Sequence, residues 1–154
     1  MKVSGQIRVR APREAVFNAL QDAPFFASCI DGVQQLTEID SAHYNAVLET
    51  SVAYMKFRFK LLIEVTRKQP PGELEANIKG TALGMVGRVT ATSTTRLTQE
   101  ADETRIEYEI EATLTGRLGS LGQPVLRSKA KEMERQFTSR LRAAFEQTPS
   151  EPRS

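Results

Sequence analysis

The sequence predicts an α+β fold: one antiparallel sheet of about seven strands with a long C-terminal helix on its apolar face. Three observations predict it. From residue 33 to residue 114 apolar side chains recur at every second position, the period of half-buried strands. Over residues 121–146 they recur at helical spacing instead. Nothing between the strands resembles the helical crossover that parallel pairing needs. The 154 residues fit one domain. It is placed at 1–146, with a flexible tail at 147–154 that carries two prolines.

Val3, Ile7 and Val9 alternate with Ser4, Arg8 and Arg10, which reads as a first strand with one buried face. It stops at Pro12, a residue suited to open a helix, and Val16, Phe17 and Leu20 share one side of a short helix. Asp22-Ala23-Pro24 starts a second short helix carrying Phe25, Phe26 and Ile30, ended by Asp31-Gly32. Residues 33–39 form a weak strand. Tyr44, Ala46, Leu48, Thr50 and Val52 mark the next, and Phe57, Phe59, Leu61, Ile63 and Val65 the strongest. With Tyr54 and Met55 as the bend, Val52 faces Phe57, Thr50 faces Phe59 and Leu48 faces Leu61, so both apolar rows share a face.

Gln69-Pro70-Pro71-Gly72 is a turn, after which Leu74, Ala76 and Ile78 mark a strand ending at Gly80. Residues 89–97 and 104–114 then form a hairpin around residues 100–103. Pairing Leu97 with Ile106 sets Thr95 against Tyr108, Ser93 against Ile110, Ala91 against Ala112 and Val89 against Leu114. Arg96 and Glu107 meet on the other face, so a single register satisfies both. The terminal helix carries Leu121, Val125, Leu126, Ala130, Met133, Phe137, Leu141 and Phe145 in one stripe.

Composition narrows the function. With 40% hydrophobic and 26% charged residues the chain is neither disordered nor membrane-spanning in character, and a net charge of +2 gives no nucleic-acid footprint. The N-terminus reads as no signal peptide. Cys29 stands alone, which fits a reducing cytoplasm, and one Cys with one His builds no zinc site. The phosphate-loop, dinucleotide, zinc-protease and C-x-x-C motifs are all missing. His43 reads as a surface residue, Cys29 as a small hydrophobe, and Glu107, Glu109 and Glu111 as a solvated row. No catalytic residue and no metal ligand is assigned.

The informative feature is a mismatch of volume. Ala91, Ser93 and Thr95 stand on the inward face of one strand, joined by Ala112, Ala76 and Thr50, where a sheet under a long helix should carry large residues. Either the helix comes closer there, or the small side chains floor a ligand cavity. In the second case Phe25, Phe26, Phe57, Phe59, Tyr108, Val125, Met133 and Phe137 supply apolar walls, and Ser93, Thr95 and Tyr108 supply hydrogen bonds to a neutral, carbonyl-bearing ligand. Residues 81–87 form an apolar loop that includes Leu83 and Met85; it is a structural flap or a mobile lid over the cavity.

Gly5-Gln6-Ile7, Ala11-Pro12-Arg13-Glu14-Ala15-Val16-Phe17, Gly80-Thr81-Ala82-Leu83-Gly84 and the segment from Gly116-Arg117-Leu118-Gly119 through Gln123-Pro124-Val125-Leu126 resemble the carbon monoxide dehydrogenase G-subunit family of the START-like (SRPBCC) superfamily. That resemblance implies the helix-grip (START/Bet v 1-like) fold. It also implies a non-catalytic accessory to a carbon monoxide dehydrogenase-like molybdenum hydroxylase, acting in membrane recruitment or in handling a bound quinone or lipid-like molecule. The expected location is the cytoplasm, peripheral at the inner face of the cell membrane. Some members carry a long C-terminal extension thought to contact the membrane; this sequence stops soon after its helix, so that device is not expected here. Two alternatives stay open: a polyketide cyclase/dehydratase-like enzyme, which needs an acid or base in the cavity, and a general lipid carrier.

Overall fold

The computed structural model describes residues 1–146. In chain order its elements are β1 (Lys2–Val9), α1 (Arg13–Gln21), α2 (Ala23–Ser28), β2 (Val33–Asp40), β3 (His43–Val52), β4 (Met55–Gln69), β5 (Glu73–Ala82), β6 (Gly87–Glu100), β7 (Glu103–Thr115), α3 (Gly116–Gly119) and α4 (Gln123–Glu146). The seven strands form one antiparallel sheet in the order β1-β7-β6-β5-β4-β3-β2. Strands β2 to β7 form a meander, and β1 returns to pair with β7. This is the α+β helix-grip plan. The expected tail, 147–154, lies outside the described residues.

The β6–β7 register is the one the side-chain pattern requires, from Leu97 opposite Ile106 to Val89 opposite Leu114. Glu100 and Glu103 also pair, which reduces the tip to Ala101-Asp102. The β3–β4 register differs from expectation. Val52 pairs with Met55, Thr50 with Phe57 and Leu48 with Phe59, so the bend is Ala53-Tyr54 and every partner moves by two residues. Ala53 adopts φ +58°, a left-handed conformation that an alanine does not announce in the sequence. A shift of two preserves the alternation, so the apolar rows still share one face.

Asp22 caps α2 by accepting a hydrogen bond from the Phe25 amide at 3.1 Å. At the other end of the sheet the apolar loop contracts. Thr81 and Ala82 belong to β5 and Gly87 to β6, leaving a turn of residues 83–86. Leu83 N–H donates to the Arg58 carbonyl at 2.8 Å, and Arg117 N–H donates to the Val86 carbonyl at 3.2 Å. Gly116, at φ +69°, permits the second contact, since a Cβ there would fall 2.6 Å from the Gly87 Cα.

The core is divided. At the end where α1 sits, Ile7, Val9, Val16, Phe17, Leu20, Leu97, Ile106 and Leu141 pack together, with Phe25, Tyr108 and Phe137 against them. At the end of the β3–β4 and β5–β6 turns, Val52, Phe57, Phe59, Ala82, Leu118 and Leu126 form a second cluster, with Leu61, Met85, Val89 and Val125 against it. Two rows of the inward face lie between. One runs Tyr44, Ile63, Ile78, Ala91, Ala112 and the other Val65, Ala76, Ser93, Ile110, Val3. Of these residues only Ala112 is buried; the others, isoleucines included, keep partial contact with solvent. Helix α4 crosses above them, its backbone approaching β1 on one side and β3 on the other.

Candidate functional site: a gap between sheet and terminal helix

The gap follows from residue size on both sides. The inward face of β5 and β6 carries Ala76, Ala91 and Ser93, and the half-buried Ala130 and Met133 of α4 join neither core cluster. A helix held at its two ends by leucine- and phenylalanine-sized contacts cannot sink far enough to close such a space.

On the β3–β4 side a cavity of about 560 Å³ lies between α4 and the sheet. Thr50, Phe57, Leu83, Met85 and Met133 line it, five of the residues expected from the sequence. Its rim is charged and largely self-neutralised. Glu49 pairs with Arg58 at 3.0 Å and Lys129 with Glu132 at 3.5 Å. Asp31 is bonded to Arg140 and to Gln136, whose amide donates to its carboxylate at 2.6 Å and whose oxygen accepts from its backbone N–H at 3.1 Å. Asp31, Gln136 and the two rim pairs are additions to the expected site, because nothing along the chain links residue 31 to residue 136.

The remaining expected residues lie elsewhere around the gap. Ala76, Ala91, Ser93, Thr95 and Ala112 occupy the inward face of β5, β6 and β7, away from that cavity's lining. Phe59 and Val125 are packed into the core at the turn end. Phe25, Phe137 and Tyr108 border the other core, and Phe26, 40% exposed, packs its ring on Phe137 at 5.0 Å between centroids.

The Tyr108 hydroxyl is already engaged, by Glu134. This α4 residue accepts a hydrogen bond from the Tyr108 hydroxyl at 2.6 Å. Burial, followed by the Glu134 hydrogen bond and charge, pushes the Tyr108 phenol well above its ordinary value of 10, so the proton stays on the tyrosine. Room for the pair comes from Gly5, directly opposite Tyr108 on β1, where a Cβ would fall 2.6 Å from the tyrosine oxygen. Glu134 itself lines a second, polar groove of about 610 Å³ between α4 and β1, with Gln6, Arg135, Thr138, Ser139 and Arg142. Glu134 sits three positions before Phe137 and four after Ala130, which places it beside the inward stripe; helical spacing is the available clue.

Other candidates stay structural. Cys29 is fully buried, and burial pushes its thiol up, away from a reactive thiolate. His43 is half-exposed between Asp40 and Glu64. Among the described residues no group of three or more His, Cys, Asp or Glu could hold a metal ion, and no helix is long and apolar enough to cross a membrane.

The family model for the G subunit of carbon monoxide dehydrogenase (CoxG) matches residues 5–145. The chain belongs to the CoxG family. Among solved structures it is similar to a conserved protein from Geobacillus kaustophilus, with 26% identity, a TM-score of 0.88, and coverage of 96% of this chain and 97% of that one. It shares its fold with the Zhui aromatase/cyclase from Streptomyces sp. R1128, at 15% identity and a TM-score of 0.69, covering 95% of this chain and 93% of that one. The same holds for a START superfamily protein from Mycobacterium smegmatis, at 14% identity and a TM-score of 0.67, covering 95% and 97%. None of the curated proteins compared with the chain matches it. The chain is thus a CoxG member with a START-like fold.

Proposed function

We propose that this CoxG protein binds an elongated hydrophobic molecule of quinone or lipid type under α4, without transforming it. We assign it as an accessory to a carbon monoxide dehydrogenase-like molybdenum hydroxylase at the inner face of the cell membrane. The divided core carries this reading. Two packed ends hold the helix, while Ile63, Ile78, Ala91 and Ile110 between them remain half-buried apolar surface, which a ligand of matching character covers favourably. Family membership supports the accessory role.

Peripheral membrane contact has its own support. Tyr54 and Val86, 94% and 84% exposed, stand with Leu83 on the two turns beside the cavity mouth. Lys60 and Arg88 flank Thr81 in one row of the sheet's outer face, and with Lys56 they have no ion-pair partner among the described residues. Exposed apolar tips beside free cations suit an anionic bilayer surface.

Native mass spectrometry of the purified protein, followed by organic extraction, tests the ligand. A non-covalent apolar adduct is expected, and a chain that is empty and takes up no added quinone or fatty acid contradicts the reading. Co-sedimentation with phosphatidylserine vesicles should fall with Tyr54→Ser/Val86→Ser; unchanged sedimentation removes the membrane part alone. The Tyr108–Glu134 pair favours one other reading, the cyclase-like enzyme, since it is an acid–base pair at the edge of the gap. Turnover of a polyketide-like substrate that is lost in Tyr108→Phe would establish that reading in place of carriage.

A further inference from the structure

The cavity between α4 and the β3–β4 side is lined by three carboxylates, Asp31, Glu49 and Glu132, and three cations, Lys56, Arg58 and Lys129, and these are not equally committed. Glu49 accepts from Arg58 at 3.0 Å and from the Gln34 amide at 3.2 Å. Both oxygens of Asp31 are taken, one by Arg140 and one by Gln136. Lys56 stands exposed at the rim. Lys129 differs from all of these. Its side chain is only 16% exposed, and its one partner among the described residues is Glu132, three positions further along α4, at 3.5 Å. That separation is longer than a good hydrogen bond, and Glu132 is itself mostly exposed, so water screens the pair. An ammonium has three protons to donate, and Lys129 uses one of them in a long contact.

We infer that this cavity takes an apolar monocarboxylate: Lys129 receives the carboxylate, and the hydrocarbon body lies on Phe57, Leu83, Met85 and Met133 of the same lining. Filling the space decides the head group. A neutral molecule displaces the water around a sheltered ammonium and leaves that charge with a single long contact, which is costly. An acid replaces the water with a charge-assisted bond of about 2.7–2.9 Å. Thr50 lines the same cavity with a hydroxyl that no described residue engages, a donor for the second carboxylate oxygen. Asp31 and Glu49 do not oppose the incoming charge, because each already holds an arginine. Two methionines in the lining adapt to a flexible body. This inference rests on the ligand-carrying reading above and names the charge at the polar end of the molecule carried.

The test titrates decanoate and decanamide, probes of the same length that differ in the charge of the head, into the full chain by calorimetry at neutral pH. Decanoate should bind about tenfold or more tighter, the scale of a hydrogen bond between charged partners. Lys129→Met, which keeps an unbranched stem and removes the ammonium, should bring the two probes within about threefold, and Lys129→Arg should retain the preference. Glu132→Gln, which releases Lys129 from its screened partner, should strengthen the binding of decanoate alone. Lys56→Met removes a cation from the exposed rim and should leave the preference in place; an equal loss there would mean that diffuse charge selects the acid, and overturns the role of Lys129. 4-Butylbenzoate, titrated alongside, separates the two sources of such an acid, since a fatty-acid site prefers decanoate and an aromatic-acid site prefers the benzoate. Equal affinity of the wild-type protein for decanoate and decanamide overturns acid selection and leaves the carrier standing. Binding of neither overturns both. A preference unchanged in Lys129→Met, with the variant's circular dichroism intact, removes Lys129 as its source.

Discussion

Gly5 carries the tightest steric requirement in the candidate site. Its missing side chain is the space in which the Tyr108 hydroxyl and the Glu134 carboxylate meet. Gly5→Ala forces the pair apart or shifts β1, an overpacking cost of about 1–3 kcal/mol that urea unfolding would read. In a Tyr108→Phe background the hydrogen bond is already gone, so the two changes should cost less than their sum; strict additivity would mean that Gly5 and the pair are independent. His43 gives a residue-level pH signature. Its hydrogen bond to Asp40, at 2.8 Å, raises the imidazole above its ordinary 6.5, and the same contact, after the Ala42 amide, lowers Asp40 below 3.8. A raised basic group stabilises fully below its unfolded value, and that stabilisation is lost as pH rises through the folded value; the lowered Asp40 contributes above 3.8 and loses its contribution in acid. Unfolding midpoints should therefore drift downward from about pH 6.5 upward, a slope that His43→Ala flattens. Both side chains are open to solvent, which screens the pair, so the drift is small.

At the scale of elements, the β3–β4 turn shows where pattern stops being informative. Alternation in Tyr44 to Val52 and in Phe57 to Val65 determines which face is apolar. It is silent about register, because a slip of two residues leaves every side chain on its proper face. The turn decides, and Ala53 takes a left-handed conformation without the glycine or asparagine that would mark it. Ala53→Gly should raise stability by about 0.5–1 kcal/mol as that cost is relieved, after the extra freedom glycine gains in the unfolded chain. A loss of stability, measured by thermal unfolding, would place the turn elsewhere. The β6–β7 hairpin is legible for the opposite reason: its two faces carry different chemistry, with Leu97 and Ile106 inward and Arg96 and Glu107 outward, and one register satisfies them both. The loop at 81–87 is shorter than its residues suggest, since backbone bonds from Leu83 and to Val86 leave no trace in residue type.

For the whole molecule, the central question is whether the space between the two core clusters is functional. Small inward residues on β5 and β6 are visible in the sequence as a mismatch of volume. The contribution of α4 is only half visible: its apolar stripe is clear, while Glu134 beside it and the Asp31–Gln136 contact across the fold depend on how the helix is rotated about its axis. Ala91 lies on the floor of the gap, in neither cluster. Ala91→Phe, measured for unfolding free energy and for decanoate affinity on the same preparation, is the most direct test. The divided core predicts stability within about 1 kcal/mol of wild type, because the ring enters existing space, and binding weakened about tenfold or more. A destabilisation of about 1–3 kcal/mol with affinity unchanged would mean that α4 already packs on Ala91, and that the gap is no binding site.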